Sequence, residues 1–133
     1  MSRIYAVAEM LTNIRNASRA GHAEVGFSRS NLKEEICRIL KREHFIKNYT
    51  VIKDNRQGKI KVTLAYGRDR ESFISGLRCI SRPGLRQYLS YRDLLKGNRR
   101  RPGLFILSTS KGVKTNKECG EAKAGGEIIC EVW

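Results

Sequence analysis

The sequence lacks the features by which membrane, exported and metal-binding proteins are usually recognised. None of its apolar runs approaches the roughly 20 residues that a membrane-spanning helix needs, and no charged-then-apolar signal opens the chain. Its four cysteines, at positions 37, 79, 119 and 130, include no Cys-x-x-Cys pair. A zinc site or a disulfide framework is therefore not expected, and reduced thiols fit a soluble protein that stays in the cytoplasm.

Acidic residues are scarce relative to basic ones. There are 13 of them against 27 lysines and arginines, which gives a formal net charge of +14. Such an excess favours a polyanionic partner, whether RNA, DNA, an anionic membrane or an acidic protein. Between residues 78 and 114 the chain carries 10 basic residues, and Asp93 is the one acid. The second half is therefore predicted to hold the principal polyanion-binding surface.

Apolar periodicity divides the first half of the chain into helices and strands. Apolar residues at helical spacing predict two amphipathic helices, and alternation of apolar and polar residues predicts strands beside them. The predicted elements are a helix over residues 4–17, a strand over 23–27, a helix from residue 31, and strands over 45–53 and 60–66. Asn31 with Glu34 is the preferred capping pair of the second helix, and Ser28 and Ser30 are the alternatives.

The second half is predicted to be mostly strand and turn. The expected elements are strands over residues 74–81, 85–90 and 104–107, a helical turn over 91–96, a loop over 98–103 and a final β-rich run over 125–130. Arg82-Pro83-Gly84 suits a type II turn, because proline fixes φ and glycine accepts positive φ. Thr115 and Glu118 match a capping box, and Gly120 indicates that the helix they begin is short.

The predicted fold class is α+β, with two small α/β units packed together. Helices lie on a β-hairpin sheet in the N-terminal unit, and the C-terminal unit is mostly antiparallel β with a short helix. The polar patch at residues 67–72 interrupts the periodicity, so the domains are predicted to be residues 1–66 and residues 67–133. Each half carries about +7, and the halves differ in how that charge is distributed.

The most informative motif is Ser108-Thr109-Ser110-Lys111-Gly112-Val113, which follows an apolar strand candidate and precedes the helix start at Thr115. Its hydroxyls, the backbone N–H groups beside Gly112 and one ammonium group offer several donors to a phosphate or a base edge. An ordinary strand-to-helix loop, whose Ser and Thr satisfy their own backbone, is the alternative. A nucleotide-binding phosphate loop is excluded, because that motif needs an earlier glycine and has Gly before Lys, whereas here Lys111 precedes Gly112.

Three further features of the second half are candidates for nucleic-acid contact. Glu127 is an acid within a basic region, so its carboxylate either accepts from a base amino group or is an exposed strand carboxylate. Arg82, Arg86 and Tyr88 either contact phosphate and stack on a base from one strand face, or are solvated arginines beside a core-edge tyrosine. The run Arg99–Arg101 either tracks a phosphate backbone or forms a solvated loop.

The first half offers polar residues in two places. They are Thr12, Arg15 and Asn16, about one helical turn together on the first helix, and Ser28, Arg29, Ser30 and Lys33 at the start of the second helix. A helix N-terminus is electrostatically favourable for phosphate. A polar helix face with a cap is the ordinary alternative for the same residues.

Several motifs, taken together, resemble one protein family. The segments Ser81-Arg82-Pro83-Gly84-Leu85-Arg86, Ser108–Gly112 and Gly125-Gly126-Glu127-Ile128-Ile129-Cys130 follow the order of bacterial-type ribosomal protein eight of the small subunit. The segment Met10-Leu11-Thr12-Asn13-Ile14-Arg15-Asn16 is similar to the opening helix of that family. The resemblance covers nearly the whole chain.

The resemblance implies a structural constituent of the small ribosomal subunit that binds the central domain of 16S-type rRNA and helps to assemble the platform. It makes the Ser108–Gly112 turn the main rRNA contact, aided by Glu127, and gives the first half a secondary set of contacts. Neighbouring small-subunit proteins are expected partners, and so is the protein's own operon mRNA, whose translation family members can repress. No cofactor, membrane or small-molecule substrate is expected, and the expected location is the cytoplasmic ribosome.

Two other functional classes compete with RNA binding. An enzyme acting on phosphorylated substrates or RNA would use Ser110, Lys111 and Glu127 as nucleophile, cation and base. The sequence supports it poorly, because neither histidine lies in a catalytic motif and no acidic pair suggests bound Mg²⁺. A general DNA-architectural protein would share the positive charge, but it would not need the hydroxyl-rich turn.

Overall fold

The computed structural model describes residues 3–81, 84–90, 92 and 103–133. The predicted turn at Arg82 and Pro83, most of the predicted helical turn over 91–96 and the arginine run at 99–101 lie outside these residues. The described chain forms two compact units. We define the N-terminal unit as residues 9–75, and the C-terminal unit as residues 76–133 together with residues 3–8.

The two units divide after Ser75, beyond the boundary that the polar patch predicted at residues 66 and 67. The segment 67–75 folds back onto the N-terminal unit. Tyr66 forms an antiparallel bridge with Ser72, and the Phe73 N–H donates to the Ala65 carbonyl at 3.1 Å. The hydroxyl groups of Ser18 and Ser72 are also hydrogen-bonded to each other. Polar composition therefore marked a turn within the first unit, not its end.

The N-terminal unit combines two helices with a three-stranded antiparallel sheet. Its elements are α1 (Arg3–Ala20), β1 (Glu24–Ser28), α2 (Asn31–Arg42), β2 (Ile46–Ile52) and β3 (Lys59–Leu64), and α1 begins among residues of the other unit. The strand order is β1-β3-β2. Apolar residues that recur at helical spacing on α1 and α2, and at every second position on β3, are all but completely buried. These residues are Met10, Leu11, Ile14, Ile36, Ile39, Leu40, Ile60 and Val62. The predicted helices and hairpin are confirmed.

The cap of α2 is Ser30, so the preference for Asn31 was wrong. Ser30 has an extended backbone, and its hydroxyl accepts a hydrogen bond from the Lys33 N–H at 3.2 Å. Asn31 is already the first helical residue, and its Oδ1 accepts from the Arg29 guanidinium at 3.0 Å. A capping residue has an extended backbone, and its side chain accepts a hydrogen bond from the third helical N–H. Asn31 has a helical backbone, so its side chain cannot cap α2.

In its described residues, the C-terminal unit contains a five-stranded antiparallel sheet and a short helix. Its elements are β4 (Leu77–Cys79), β5 (Tyr88–Leu89), β6 (Leu104–Thr109), β7 (Gly112–Thr115), α3 (Asn116–Ala122) and β8 (Gly126–Val132). The order is β4-β8-β6-β7, and β5 also pairs with β8. β4 and β5 are shorter than the strands predicted over residues 74–81 and 85–90. The α+β fold class is confirmed.

The hydroxyl-rich motif forms a β-hairpin instead of a strand-to-helix loop. Thr109 pairs with Gly112 at the end of the β6–β7 ladder, so Ser110 and Lys111 alone form the loop. Gly112 has φ of 105°, a conformation that side chains disfavour and glycine allows. The helix start was placed correctly, because Thr115 and Glu118 form a complete capping box at its beginning. What the sequence did not reveal is the four-residue strand β7, which is too short to show a period.

One face of the C-terminal sheet packs against α3. The buried residues Phe105, Leu107, Cys119 and Ile128 form a cluster there, with Ile80 and Leu89 packed against it. Strand β8 carries one extra residue, Ile129, because Ile106 pairs with Cys130 while Leu107 pairs with Ile128. This β-bulge interrupts the alternation of faces along the strand, so three consecutive residues from Ile128 to Cys130 are all buried.

Strands β6 and β8 approach so closely at Gly126 that no side chain fits. A Cβ atom there would lie 2.2 Å from the Ser108 carbonyl oxygen and 3.1 Å from Cγ2 of Thr109. The atom at 2.2 Å belongs to a strand backbone and not to a flexible side chain, so relief requires the ladder to move. The paired glycines therefore set the spacing of the sheet.

Substitution of Gly126 by alanine should destabilise the protein by about 1–3 kcal/mol, the usual range for overpacking. Gly120→Ala is the matched control, because a Cβ at Gly120 would meet nothing within 4 Å and alanine favours a helix by up to about 1 kcal/mol. Urea unfolding of both variants measures the difference. Equal stability of Gly126→Ala and the wild type would show that the two strands are not in close contact.

Candidate nucleic-acid interface

Four residues from four strands form one row across the C-terminal sheet. Tyr88 of β5 lies opposite Glu127 of β8, Glu127 lies opposite Ser108 of β6, and Ser108 lies opposite Val113 of β7. Side chains of directly opposed residues project from the same face of an antiparallel sheet. We call these residues the cross-strand row. It brings together Tyr88, Glu127 and Ser108, which the sequence identified separately.

Glu127 is the central acid of the row. Its side chain is only 11% exposed, and Nη1 of Arg86 lies 3.4 Å from its Oε2 and 3.5 Å from its Oε1. The two contacts are long for a charge-assisted bond, and the Arg86 side chain is 42% exposed. A carboxylate has about four acceptor positions, so this one arginine does not exhaust its capacity to accept hydrogen bonds.

The hairpin loop beside the row is held by its own polar groups. The Thr109 hydroxyl donates to the Gly112 carbonyl at 2.7 Å and accepts from the Lys111 N–H at 3.1 Å. The ammonium of Lys111 donates to the Ala122 carbonyl at 3.1 Å, at the end of α3, where a positive charge is favourable. Ser110 and Gly112 are exposed. Thr109 thus shapes the loop, while Ser110 and the backbone beside it face solvent.

Two large hydrophobic side chains in or just before β5 are exposed. Tyr88 is 66% exposed and Leu85 is 62% exposed. An exposed aromatic ring beside hydrogen-bonding groups can stack on an unpaired base. Arg82, which the sequence grouped with Arg86 and Tyr88, lies outside the described residues. Arg86 and Tyr88 do meet, through their common neighbour Glu127, although Arg86 precedes the strand that contains Tyr88.

In the N-terminal unit, the predicted polar face of α1 is present. Thr12 and Asn16 are exposed, whereas Arg15 is half-buried and its Nε atom is buried. Lys33 differs, because it is only 6% exposed. Its ammonium donates to the carbonyl and hydroxyl oxygens of Ser28 at 3.0 and 3.1 Å. The polar groups of Ser30 and Lys33 are therefore used within the protein.

A second basic surface was not identified from the sequence. Lys59 and Lys61 are exposed on β3, whereas Ile60 and Val62 between and after them are buried. They pair across the sheet with Ser28 and Gly26 of β1, and a groove of about 970 Å³ is lined by parts of β1, β3 and the turn between β2 and β3. The alternation of lysine with apolar residues over 59–62 could have identified this exposed, basic strand face from the sequence.

The described residues do not support a catalytic or metal site. Within residues 3–81, 84–90, 92 and 103–133, no cluster of three or more His, Cys, Asp and Glu side chains is placed to hold a metal ion. Lys111 and Glu127 bond to Ala122 and Arg86, not to Ser110, so the triad that an enzyme would need is not assembled. In the same part of the chain, no helix is long and apolar enough to cross a membrane.

Burial disfavours the thiolate form at three of the four cysteines. Burial raises the pKa of the Cys37 thiol to about 12, and burial also raises the pKa of Cys119 and Cys130. None of the four is disulfide-bonded.

Comparison with known proteins identifies the family to which the chain belongs. The model of the family described as ribosomal protein S8 matches residues 6–133. The chain is 51% identical over 130 residues to small ribosomal subunit protein uS8 of Lactobacillus helveticus, covering 96% of each sequence. The protein of the same name from Clostridioides difficile is 44% identical over 130 residues with the same coverage. The chain thus belongs to the ribosomal protein S8 family, whose members are structural proteins of the ribosome and not enzymes.

Proposed function

We propose that this protein is a structural constituent of the small ribosomal subunit that binds the central domain of 16S-type rRNA directly and helps to assemble the platform. The relatives named as small ribosomal subunit proteins support the location. The observation that carries the RNA-binding part is the cross-strand row, in which the nearly buried Glu127 lies between Tyr88 and Ser108. The negative charge of Glu127 weakens the general attraction of this basic surface for polyanions. We therefore assign Glu127 to the recognition of particular RNA groups and not to electrostatic attraction.

The proposed mechanism separates attraction from recognition. The charge of +14 supplies a salt-dependent attraction to phosphate that does not depend on sequence. The Ser108 and Ser110 hydroxyls and the N–H groups of the hairpin loop donate to phosphate or 2′-hydroxyl oxygens. Glu127 accepts from the amino group of an unpaired base, and Tyr88 stacks on one. Unpaired bases in a distorted helix are the usual targets of specific RNA recognition.

Lys111 can contact RNA phosphate even though its ammonium is bonded to the Ala122 carbonyl. Its contact with the Ala122 carbonyl is exposed, so water competes for the ammonium group and the net contribution of the bond is small. Lys111 can therefore leave the end of α3 and contact a phosphate at small cost. We assign it to attraction, whereas Ser110 and Glu127 are assigned to recognition.

The N-terminal unit would provide secondary contacts. Thr12, Arg15 and Asn16 are the polar residues of α1. Lys59 adds a positive charge on β3 that phosphate can approach, while the neighbouring Lys61 is paired with Glu24 at 2.8 Å. Ser30 and Lys33 would act indirectly, because they fix the start of α2 against Ser28. Contacts with neighbouring ribosomal proteins, and repression of its own operon mRNA through a similar RNA shape, complete the proposal.

The first experiment is binding to a central-domain fragment of small-subunit rRNA beside a scrambled duplex of equal length, with both titrated across moderate salt. We expect tight binding to the fragment that persists as salt rises, and weak, salt-labile binding to the duplex, because only the fragment offers unpaired bases to the cross-strand row. Equal, salt-labile affinity for the rRNA fragment and the scrambled duplex would contradict the proposal and indicate a protein that binds polyanions without specificity.

Replacing Glu127 by glutamine separates recognition from attraction, because the change removes a negative charge. We expect affinity for the rRNA fragment to fall about 5- to 150-fold, the equivalent of about 1–3 kcal/mol for a base contact. Affinity for the scrambled duplex should stay level or rise. If affinity for both RNAs rises together, Glu127 is only an electrostatic obstacle and the recognition role is wrong.

Two variants of the hairpin loop should differ in how salt affects binding. Lys111→Ala should weaken binding to every RNA modestly and lower the salt slope by about one unit at most, since one phosphate contact is lost. Ser110→Ala should leave the slope unchanged and reduce the preference for the rRNA fragment. Lys117→Ala, which removes an exposed lysine from α3, is the control for charge alone. Wild-type binding by both loop variants would contradict the assignment of the hairpin.

A further inference from the structure

Two of the four cysteines lie directly opposite each other in neighbouring strands. Cys79 of β4 pairs with Cys130 of β8 in the antiparallel register. Cys37 lies on α2 in the N-terminal unit, and Cys119 lies on α3 in the core cluster of the C-terminal unit. The pair is therefore set apart from the other two cysteines by its position in the fold.

The backbone hydrogen bonds show which kind of pair this is. Gly76 and Trp133 exchange both of their N–H···O bonds at 3.0 Å, and the Ile80 N–H donates to the Ile129 carbonyl at 2.9 Å. Hydrogen-bonded and non-hydrogen-bonded pairs alternate along an antiparallel ladder. Cys79 precedes Ile80 and Cys130 follows Ile129, so the two cysteines form the next pair along the ladder, which is a non-hydrogen-bonded pair.

Non-hydrogen-bonded pairs have the closer side chains. Their Cα atoms are about 4.5 Å apart, which lies within the range of about 4.4–6.8 Å found across disulfides. The two thiols also affect each other electrostatically, since Cys79 contributes, after burial, to the raised pKa of Cys130. The register therefore places the two cysteines on one face of the sheet at a backbone spacing that a disulfide can bridge.

The two thiols differ in how easily a small oxidant reaches them. Cys130 is completely buried, whereas Cys79 is partly exposed. The Cys79 thiol donates to the Ser81 carbonyl at 3.2 Å, so the sulfur can turn towards Cys130 by rotation about its own Cα–Cβ bond. The arrangement matches an outer thiol that is oxidised first and an inner thiol that resolves it.

We propose that Cys79 and Cys130 are a reversible modification site, at which hydrogen peroxide converts the two thiols into a disulfide between β4 and β8. The Cys79 sulfur attacks the peroxide oxygen, the O–O bond breaks and Cys79 becomes a sulfenic acid while one water leaves. The Cys130 sulfur then attacks the Cys79 sulfur, the S–O bond breaks and a second water leaves. Two thiols are oxidised by two electrons, and one hydrogen peroxide is reduced to two waters.

The bond would join β4 to β8, the strand that carries Glu127 of the cross-strand row. β8 holds Glu127 three positions before Cys130, and the chain between the two cysteines contains β5, β6, β7 and α3. A disulfide closing such a long segment restricts the unfolded chain more than the folded one. The oxidised protein should therefore unfold at a higher denaturant concentration than the reduced protein. This inference is independent of RNA binding.

The test treats the folded, full-length protein with hydrogen peroxide, then unfolds it and alkylates the remaining thiols. Intact mass should show two alkylated cysteines in place of four, and peptide mapping should show the peptides of Cys79 and Cys130 joined within one chain. A thiol reductant should restore all four. Cys37 and Cys119 are buried and have no cysteine opposite them. They should therefore be alkylated in both the untreated and the peroxide-treated samples, and they serve as internal controls.

Two variants are used so that a folding defect in one of them does not decide the result. Cys79→Ser changes the partly exposed position, and Cys130→Ala changes the buried one to a smaller apolar residue. Either should abolish the disulfide, and in Cys130→Ala a sulfenic acid at Cys79 should be trapped by a dimedone probe. The proposal is overturned if four thiols persist in the wild type, if Cys79 is oxidised beyond the sulfenic acid without bonding to Cys130, or if the disulfide joins other cysteines or two chains.

Discussion

Strand β8 is the element on which the C-terminal unit depends, because it pairs with three other strands. β6 lies along one edge, and β4 and β5 share the other. The pairing is possible only because Gly125 and Gly126 let neighbouring backbones approach where a side chain would collide, at Leu89 on one side and Ser108 on the other. The strand register that forms the sheet also places Tyr88 and Ser108 beside Glu127. The pairing of β8 therefore determines both the sheet and the cross-strand row.

The charge of the protein and its polar contacts have different roles. Several polar groups that look available in the sequence are used internally: the Ser30 hydroxyl caps α2, Lys33 holds Ser28, and Thr109 closes the hairpin. The groups that remain at the surface near the cross-strand row are few, and one of them is acidic. Long-range attraction therefore arises from the whole chain, whereas discrimination between RNAs is assigned to a small number of neighbouring atoms.

Much of the fold follows from the sequence, and what does not follow has identifiable causes. The two long helices, the β2–β3 hairpin and the capping box at Thr115 depend on local periodicity and turn residues, which a sequence displays. The choice of Ser30 over Asn31 depends on the residue at which the backbone becomes helical. The strand β7 has four residues, too few for a period. The inward direction of Lys33 depends on Ser28 and the Phe27 ring, 5.8 Å from its ammonium, which meet it only after folding.

The bulge at Ile129 decides the orientation of both ends of β8. Because of the extra residue, Glu127 and Cys130 share the face of Ser108 and Ile106, while Ile128 and Glu131 share the face of Leu107 and Phe105. A chain shortened by one residue here would have a regular strand, and one of its halves would be turned over. Either the carboxylate would point into the α3 core or the buried end residues would face the opposite side. The length of this segment is thus as strict a requirement as its composition.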